Sequence, residues 1–198
     1  MSTPAADTAR RSLTLREWAG LAEDVPGELV DGVLVEEEVA DSLHDLVVGW
    51  LIATVGGWAL ARGGLVAASD AKFGLTDDRG RKPDASVYLA GAKRPPARGL
   101  VTVPPSLAIE VVSPTPRDAR RDRIEKLGEY AAFGVPYYWI VDPQLRTVEV
   151  LDLGEDGRYV HALAASGGVQ RDIPGCPGLE LDLDALWALA DELEQKSD

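Results

Sequence analysis

A chain of 198 residues, 45% hydrophobic and 27% charged, is long enough for one domain whose core needs no covalent staples. The single cysteine, Cys176, excludes an internal disulfide framework, and the net charge of -13 argues against a broad phosphate-binding face. The first eleven residues carry two arginines and no apolar run, so no signal peptide is expected there, and the apolar stretch 46–61, interrupted by Gly49, Gly56 and Gly57, is not expected to cross a bilayer; a cytoplasmic protein without membrane contact is the expectation.

Residues 1–12 read as a disordered leader, residues 13–193 as one domain and residues 194–198 as a flexible tail. Thr14-Leu15-Arg16-Glu17 is a capping box, which predicts a short helix reaching about Ala22. Asp31-Gly32 between Glu28-Leu29-Val30 and Val33-Leu34-Val35 predicts a type I′ hairpin. Asp41 or Ser42 caps a helix whose Leu43, Leu46, Val47, Trp50, Leu51, Val55 and Trp58 follow three-four spacing. Leu65 to Ala68 and Lys72 to Leu75 suit strands, Asp77-Asp78-Arg79-Gly80 a turn, and Ala85 to Leu89 another strand. After the Pro-rich loop 94–105 comes the strand Leu107 to Val112. A helix is predicted over Asp118 to Phe133, with Ile124, Leu127 and Ala131 on one face and Gly134 as its stop. Tyr137 to Val141 is β-prone, Thr147 to Leu153 and Arg158 to Leu163 suggest a hairpin, and Asp184 to Leu193 an amphipathic helix. This order predicts an α/β (α+β mixed) fold: a mixed central sheet flanked by helices.

Charge is uneven along the chain. Arg79, Arg81, Lys82, Lys93, Arg94 and Arg98 outnumber Asp78 and Asp84 between residues 78 and 98. Arg117, Arg120, Arg121, Arg123 and Lys126 outnumber Asp118, Asp122 and Glu125 in the next basic stretch. Two carboxylates stand beside these stretches. Asp84 follows Pro83 at a strand entry, and Glu110 sits in the middle of an apolar strand, where an ionised side chain is costly without a partner or a metal. Neighbouring strands could bring both to one Mg²⁺, which prefers a few carboxylates and retains waters. Lys126 lies at i+4 from Asp122 and i-4 from Tyr130, so the three share a helix face, and an amine near the metal could orient water or offset transition-state charge. Taken singly, Pro83-Asp84 is a turn device, Glu110 an ion-pair partner and Lys126 a solvated helix residue; the assembly points to phosphodiester hydrolysis. No CxxC, HExxH, Gly-x-Ser-x-Gly or Walker A pattern occurs.

Lys82-Pro83-Asp84, Ile109-Glu110-Val111-Val112-Ser113-Pro114, Asp122 with Lys126 and Tyr130, and Gly134-Val135-Pro136-Tyr137-Tyr138-Trp139-Ile140-Val141-Asp142-Pro143 occur in that order. Together they resemble the Uma-two-type restriction endonuclease family of the PD-(D/E)XK nuclease superfamily. The likeness extends through Glu28-Leu29-Val30-Asp31-Gly32 and His44 to Gly178-Leu179-Glu180-Leu181-Asp182. The resemblance implies a restriction-endonuclease-like domain that hydrolyses DNA with Mg²⁺ or Mn²⁺. It implies Asp84 and Glu110 as metal ligands, Lys126 as the catalytic lysine, and Glu28 and His44 as further site residues. The superfamily's usual lysine, two residues after the acid, would fall on Val112, so the amine would come from the following helix. A homodimer would suit double-strand cutting. Two readings stay open beside a nuclease: a non-catalytic interaction protein retaining the scaffold, motivated by the acidity, and a metal-dependent hydrolase of small phosphoesters.

Overall fold

The structure, a computed structural model, describes residues 12–22, 25–36, 41–69 and 71–196, with residue 118 by its backbone alone. The leader expected over 1–12 lies outside the described residues except for Ser12.

The capping box forms, with Thr14 N donating to Glu17 Oε2 at 2.9 Å and Glu17 N to Thr14 Oγ1 at 3.3 Å. It starts α1 (Leu15–Ala19), which buries Trp18. β1 (Glu28–Val30) and β2 (Val33–Val35) join through Asp31 and Gly32, whose φ values of 50° and 74° are those of the type I′ turn. Asp41 then caps α2 (Ser42–Leu51) by accepting from His44 N at 2.8 Å. The helix continues through a π-helical stretch (Ile52–Gly56) into α3 (Gly57–Ala61). These twenty residues are, by length and composition, apolar enough to cross a membrane, because the glycines that interrupt the stretch do not break the helix. In this fold Val47, Leu51, Val55, Trp58 and Ala59 are packed into the core.

β3 (Leu65–Ala68), β4 (Phe73–Thr76), β5 (Arg79–Arg81) and β6 (Ala85–Tyr88) follow. The turn expected over Asp77 to Gly80 is shorter: only Asp77 and Asp78 turn, and Arg79 to Arg81 pair with both β1 and β4. Gly80 permits this, because a Cβ there would stand 2.3 Å from the Trp18 ring. β7 (Leu107–Val111) is buried throughout. Next comes a helix built of α4 (Pro116–Arg120), a π-helical stretch (Arg121–Glu125) and α5 (Lys126–Phe133), ended by Gly134 at φ 85°. β8 (Tyr137–Asp142), β9 (Thr147–Leu153) and β10 (Tyr159–Ala165) form a meander. A two-residue pair, β11 (Val169–Gln170) with β12 (Leu181–Asp182), leads into α6 (Leu183–Gln195), so residues 194 and 195, expected in a tail, are helical.

The central sheet runs β10-β9-β8-β7-β6-β3, and a smaller sheet runs β2-β1-β5-β4. β7 and β8 pair in parallel with α4 and α5 as their crossover, whereas the flanking pairs are antiparallel, which makes the sheet mixed as expected. The larger core lies between one sheet face and α2, α3 and α6. On the opposite face Ala108, Val112, Tyr138 and Ile140 pack against Tyr130 of α5. The inward side of α5 is not the one expected: Ile124 is exposed, while Asp122, Lys126 and Tyr130 are buried. The polar stripe wins because Glu110, facing it from β7, gives buried Lys126 and Tyr130 a partner.

Gly80→Ala is expected to cost about 1–3 kcal/mol in urea unfolding by forcing Trp18 from its place. Gly128→Ala, in α5 with open space around its Cβ, is expected to be neutral or stabilising by up to about 1 kcal/mol. Equal stabilities for the two variants would contradict the packing described.

Candidate active site

The five residues singled out from the sequence come together at the ends of β1, β6 and β7 and on α2 and α5. Ala85 of β6 is paired with Ile109 of β7, so Asp84 stands across from Glu110 one position beyond the last pair. Asp84 Oδ2 accepts from Val111 N at 2.7 Å and lies 3.3 Å from His44 Nε2. His44 reaches it because the Asp41 cap places that residue in the first turn of α2. Asp84 Oδ1 has no protein partner among the described residues, and the side chain is 18% exposed.

Glu110 is enclosed. Lys126 Nζ donates to its Oε2 at 2.9 Å and the Tyr130 hydroxyl to its Oε1 at 2.6 Å. Lys126 Nζ also stands 3.2 Å from Asp122 Oδ1 and 3.7 Å from Glu28 Oε1. Asp122, Lys126 and Tyr130 follow the four-residue spacing of one helix face, and the π-helical turn carrying Asp122 ends just before Lys126. Tyr138 fixes that turn by donating to the Asp122 carbonyl oxygen at 2.9 Å.

Glu28 is held from the other side. Its Oε2 accepts from Arg81 Nη1 at 2.7 Å and its Oε1 from Lys82 N at 2.8 Å. Arg81, fully buried, also binds Glu129 through Nε at 2.6 Å and Nη2 at 2.8 Å, and Arg79 pairs with Glu129 and Asp31. Arg79 and Arg81 are therefore internal struts and not members of the basic surface that their position in the sequence suggested. Arg81 and Glu129 are the residues that sequence reasoning missed.

Burial raises the Glu110 carboxyl well above its ordinary value; Lys126 opposes this, while Asp84, Asp122 and Glu28 reinforce it. Burial also raises Asp122 against the pull of Lys126. For Glu28 the order reverses: burial pushes it up, but the Lys126 and Arg81 charges with the Lys82 amide hold it below the usual range. Lys126 is pushed down by burial and up, more strongly, by Asp122, Glu110 and Glu28, so it is an ammonium at neutral pH. His44 is raised in the same way by Asp84 against burial.

Glu110, Asp122 and Glu28 thus crowd around the one Lys126 ammonium with Asp84 beside them, a mutual repulsion that a divalent cation relieves. No group of three or more His, Cys, Asp or Glu side chains forms a ready metal cage among the described residues. Asp84 lies on the partly solvated side of the site and Glu110 on its enclosed side, and a carboxylate open to water suits a hard cation that keeps several waters. Glu110 oxygens each retain acceptor capacity beyond the single donor they meet. The donor set fits Mg²⁺ or Mn²⁺, with Asp84 and Glu110 as the side chains able to hold it.

Two outcomes follow. Replacing Lys126 by Met strands Glu110, Asp122 and Glu28 without their shared cation and is expected to cost about 3–5 kcal/mol in chemical denaturation. Because the folded state binds a proton at Glu110 that the unfolded chain releases near the ordinary value of 4.5, the stability this group contributes is full below that value and declines as pH rises through the folded one. Glu110→Gln removes the decline, so its stability relative to the wild type is expected to rise as pH increases above the ordinary carboxyl value of 4.5. Parallel pH profiles of wild type and variant would contradict the raised carboxyl.

Residues 14–184 match the family Uma2, described as "Putative restriction endonuclease". The fold is similar to a crystal structure titled as a putative nuclease belonging to DUF820, from Anabaena variabilis ATCC 29413. The TM-score is 0.70 at 18% identity, over 90% of this chain and 99% of that one. No curated protein matches the chain. With the match running from the capping box of α1 into α6, the chain belongs to the Uma2 family and has a nuclease-like fold.

Proposed function

We propose that this chain is an endonuclease that hydrolyses DNA phosphodiester bonds with Mg²⁺ or Mn²⁺ held by Asp84 and Glu110. The observation that carries the reading is the group of three carboxylates around one buried ammonium, with Asp84 Oδ1 beside it left without a protein partner among the described residues. When bound, the ion supplies positive charge to the phosphoryl oxygens and acidifies water. His44 and Val111 N hold Asp84 by Oδ2, which keeps Oδ1 turned to its task. Tyr130 fixes the Glu110 carboxylate plane by its short hydrogen bond.

Lys126 works as a cation. Three carboxylates keep it protonated, so its role is to donate hydrogen bonds to the attacking water or to a phosphoryl oxygen as charge builds there, and not to remove a proton. Glu28, clamped by Arg81 and the Lys82 amide, limits where the amine can move. Two-fold association of the chain would pair two such sites for cutting both strands.

Incubation of supercoiled plasmid with Mg²⁺ or Mn²⁺ tests the reading. Nicking or linearisation that EDTA abolishes is expected, with Asp84→Asn and Glu110→Gln reduced by about 100-fold or more while still folded. Cleavage that persists undiminished in both variants would remove the assigned site. Salt-insensitive turnover of a small phosphoester, with no DNA cleavage, would favour the phosphoester reading.

A further inference from the structure

A cavity opens on the face of the central sheet that carries the candidate site. It has a volume of about 400 Å³ and lies between β6, β4 and the Pro-rich loop, with Phe73, Ser86, Tyr88, Pro95, Pro96 and Arg98 among its walls. Side chains alternate along a strand, so Asp84, Ser86 and Tyr88 share one face, while Ala85 and Val87 enter the core on the other. Ser86 is paired with Ala108, whose side chain packs on the α5 side, which fixes the direction independently.

Two features mark this cavity as more than a packing gap. Ser86 is 1% exposed, yet its Oγ has no hydrogen-bond partner among the described residues. A buried hydroxyl without a partner costs free energy unless a ligand or water satisfies it. Arg98, exposed on the loop that forms the outer wall, makes no ion pair or hydrogen bond with the described residues. Lys72, whose Nζ donates to the carbonyl oxygens of Trp18 and Leu21, also lines the cavity, and the remaining walls are apolar or aromatic, the composition of a small-molecule subsite.

We infer that this cavity takes one unpaired nucleobase of the strand whose phosphate lies at Asp84, with Ser86 Oγ hydrogen-bonded to the base edge and Arg98 at the adjoining phosphate. The inference rests on the nuclease reading above. Two residues along a strand rise about 7 Å, so the sugar of a nucleotide with its phosphate at Asp84 can carry its base to Ser86. The chain's charge of -13, with Arg79 and Arg81 internally neutralised, leaves few phosphate contacts to hold a duplex. A base in an apolar pocket offsets that deficit by stacking and desolvation, contributions that salt does not screen.

The test uses a fluorescein-labelled single-stranded DNA oligonucleotide in EDTA, where no cleavage occurs, read by anisotropy. A scan of one abasic position along the strand is compared between wild type, Ser86→Val, which replaces the hydroxyl by methyl groups at the cavity wall, and Arg98→Ala. Ser86→Ala serves as the variant that removes only the hydroxyl, and thermal melts confirm that each protein is folded. In the wild type one abasic position is expected to weaken binding about tenfold. Ser86→Val is expected to bind the intact strand about tenfold more weakly and to lose the abasic effect, and Arg98→Ala to bind several-fold more weakly. Identical affinities in wild type and Ser86→Val, no sensitive abasic position, or no saturable binding would each overturn the pocket. Plasmid cleavage separates this from the parent reading. Base-dependent binding without Mg²⁺-dependent cleavage keeps the pocket and removes the nuclease, whereas cleavage unaffected by Ser86→Val does the reverse.

Discussion

One buried ammonium organises the candidate site. Lys126 Nζ lies within ion-pair distance of Glu110, Asp122 and Glu28, which come from β7, the π-helical turn and β1. Removing a carboxylate from water costs several kcal/mol that a single partner seldom returns in full. Here three carboxylates share one cation, with Arg81 bound to Glu28 and the charge of Arg121 acting on Asp122 as further support. The imbalance leaves Glu110 and Asp122 poised to take up positive charge, and it is built into the connection between the small sheet, the central sheet and α5.

The scaffold holds this imbalance by local devices that act at a distance from it. Gly80 lets Trp18 pack on β5, β5 carries Arg81 into the interior, and Arg81 binds both Glu28 and Glu129. The Asp41 cap sets the first turn of α2, from which His44 meets Asp84. The parallel pairing of β7 with β8 requires a crossover, and that crossover is the helix bearing Asp122, Lys126 and Tyr130. Chemistry at the site and stability of the fold therefore depend on some of the same bonds.

Much of this was legible from residues alone. The capping box at Thr14, the Asp31-Gly32 turn and the Gly134 stop are local signals whose geometry admits few alternatives. Glu110 in an apolar strand announced a partner, and the four-residue spacing of Asp122, Lys126 and Tyr130 announced a shared face. What was not legible depends on long-range packing. Arg79-Gly80-Arg81 looks like an exposed basic turn until Trp18, Glu28 and Glu129, all distant in sequence, are placed around it. Likewise the helix buries its polar stripe and not Ile124, because the identity of the opposing strand residue, Glu110, decides which face is satisfied.

Anomalous diffraction from crystals grown with Mn²⁺ tests the central claim most directly. The account predicts a single strong peak touching Asp84 Oδ1 and a Glu110 oxygen, with Lys126 displaced toward Asp122 or Glu28 and its amine facing a water on the ion. A Glu110–Lys126 pair unchanged at 2.9 Å with no peak beside Asp84 would contradict it.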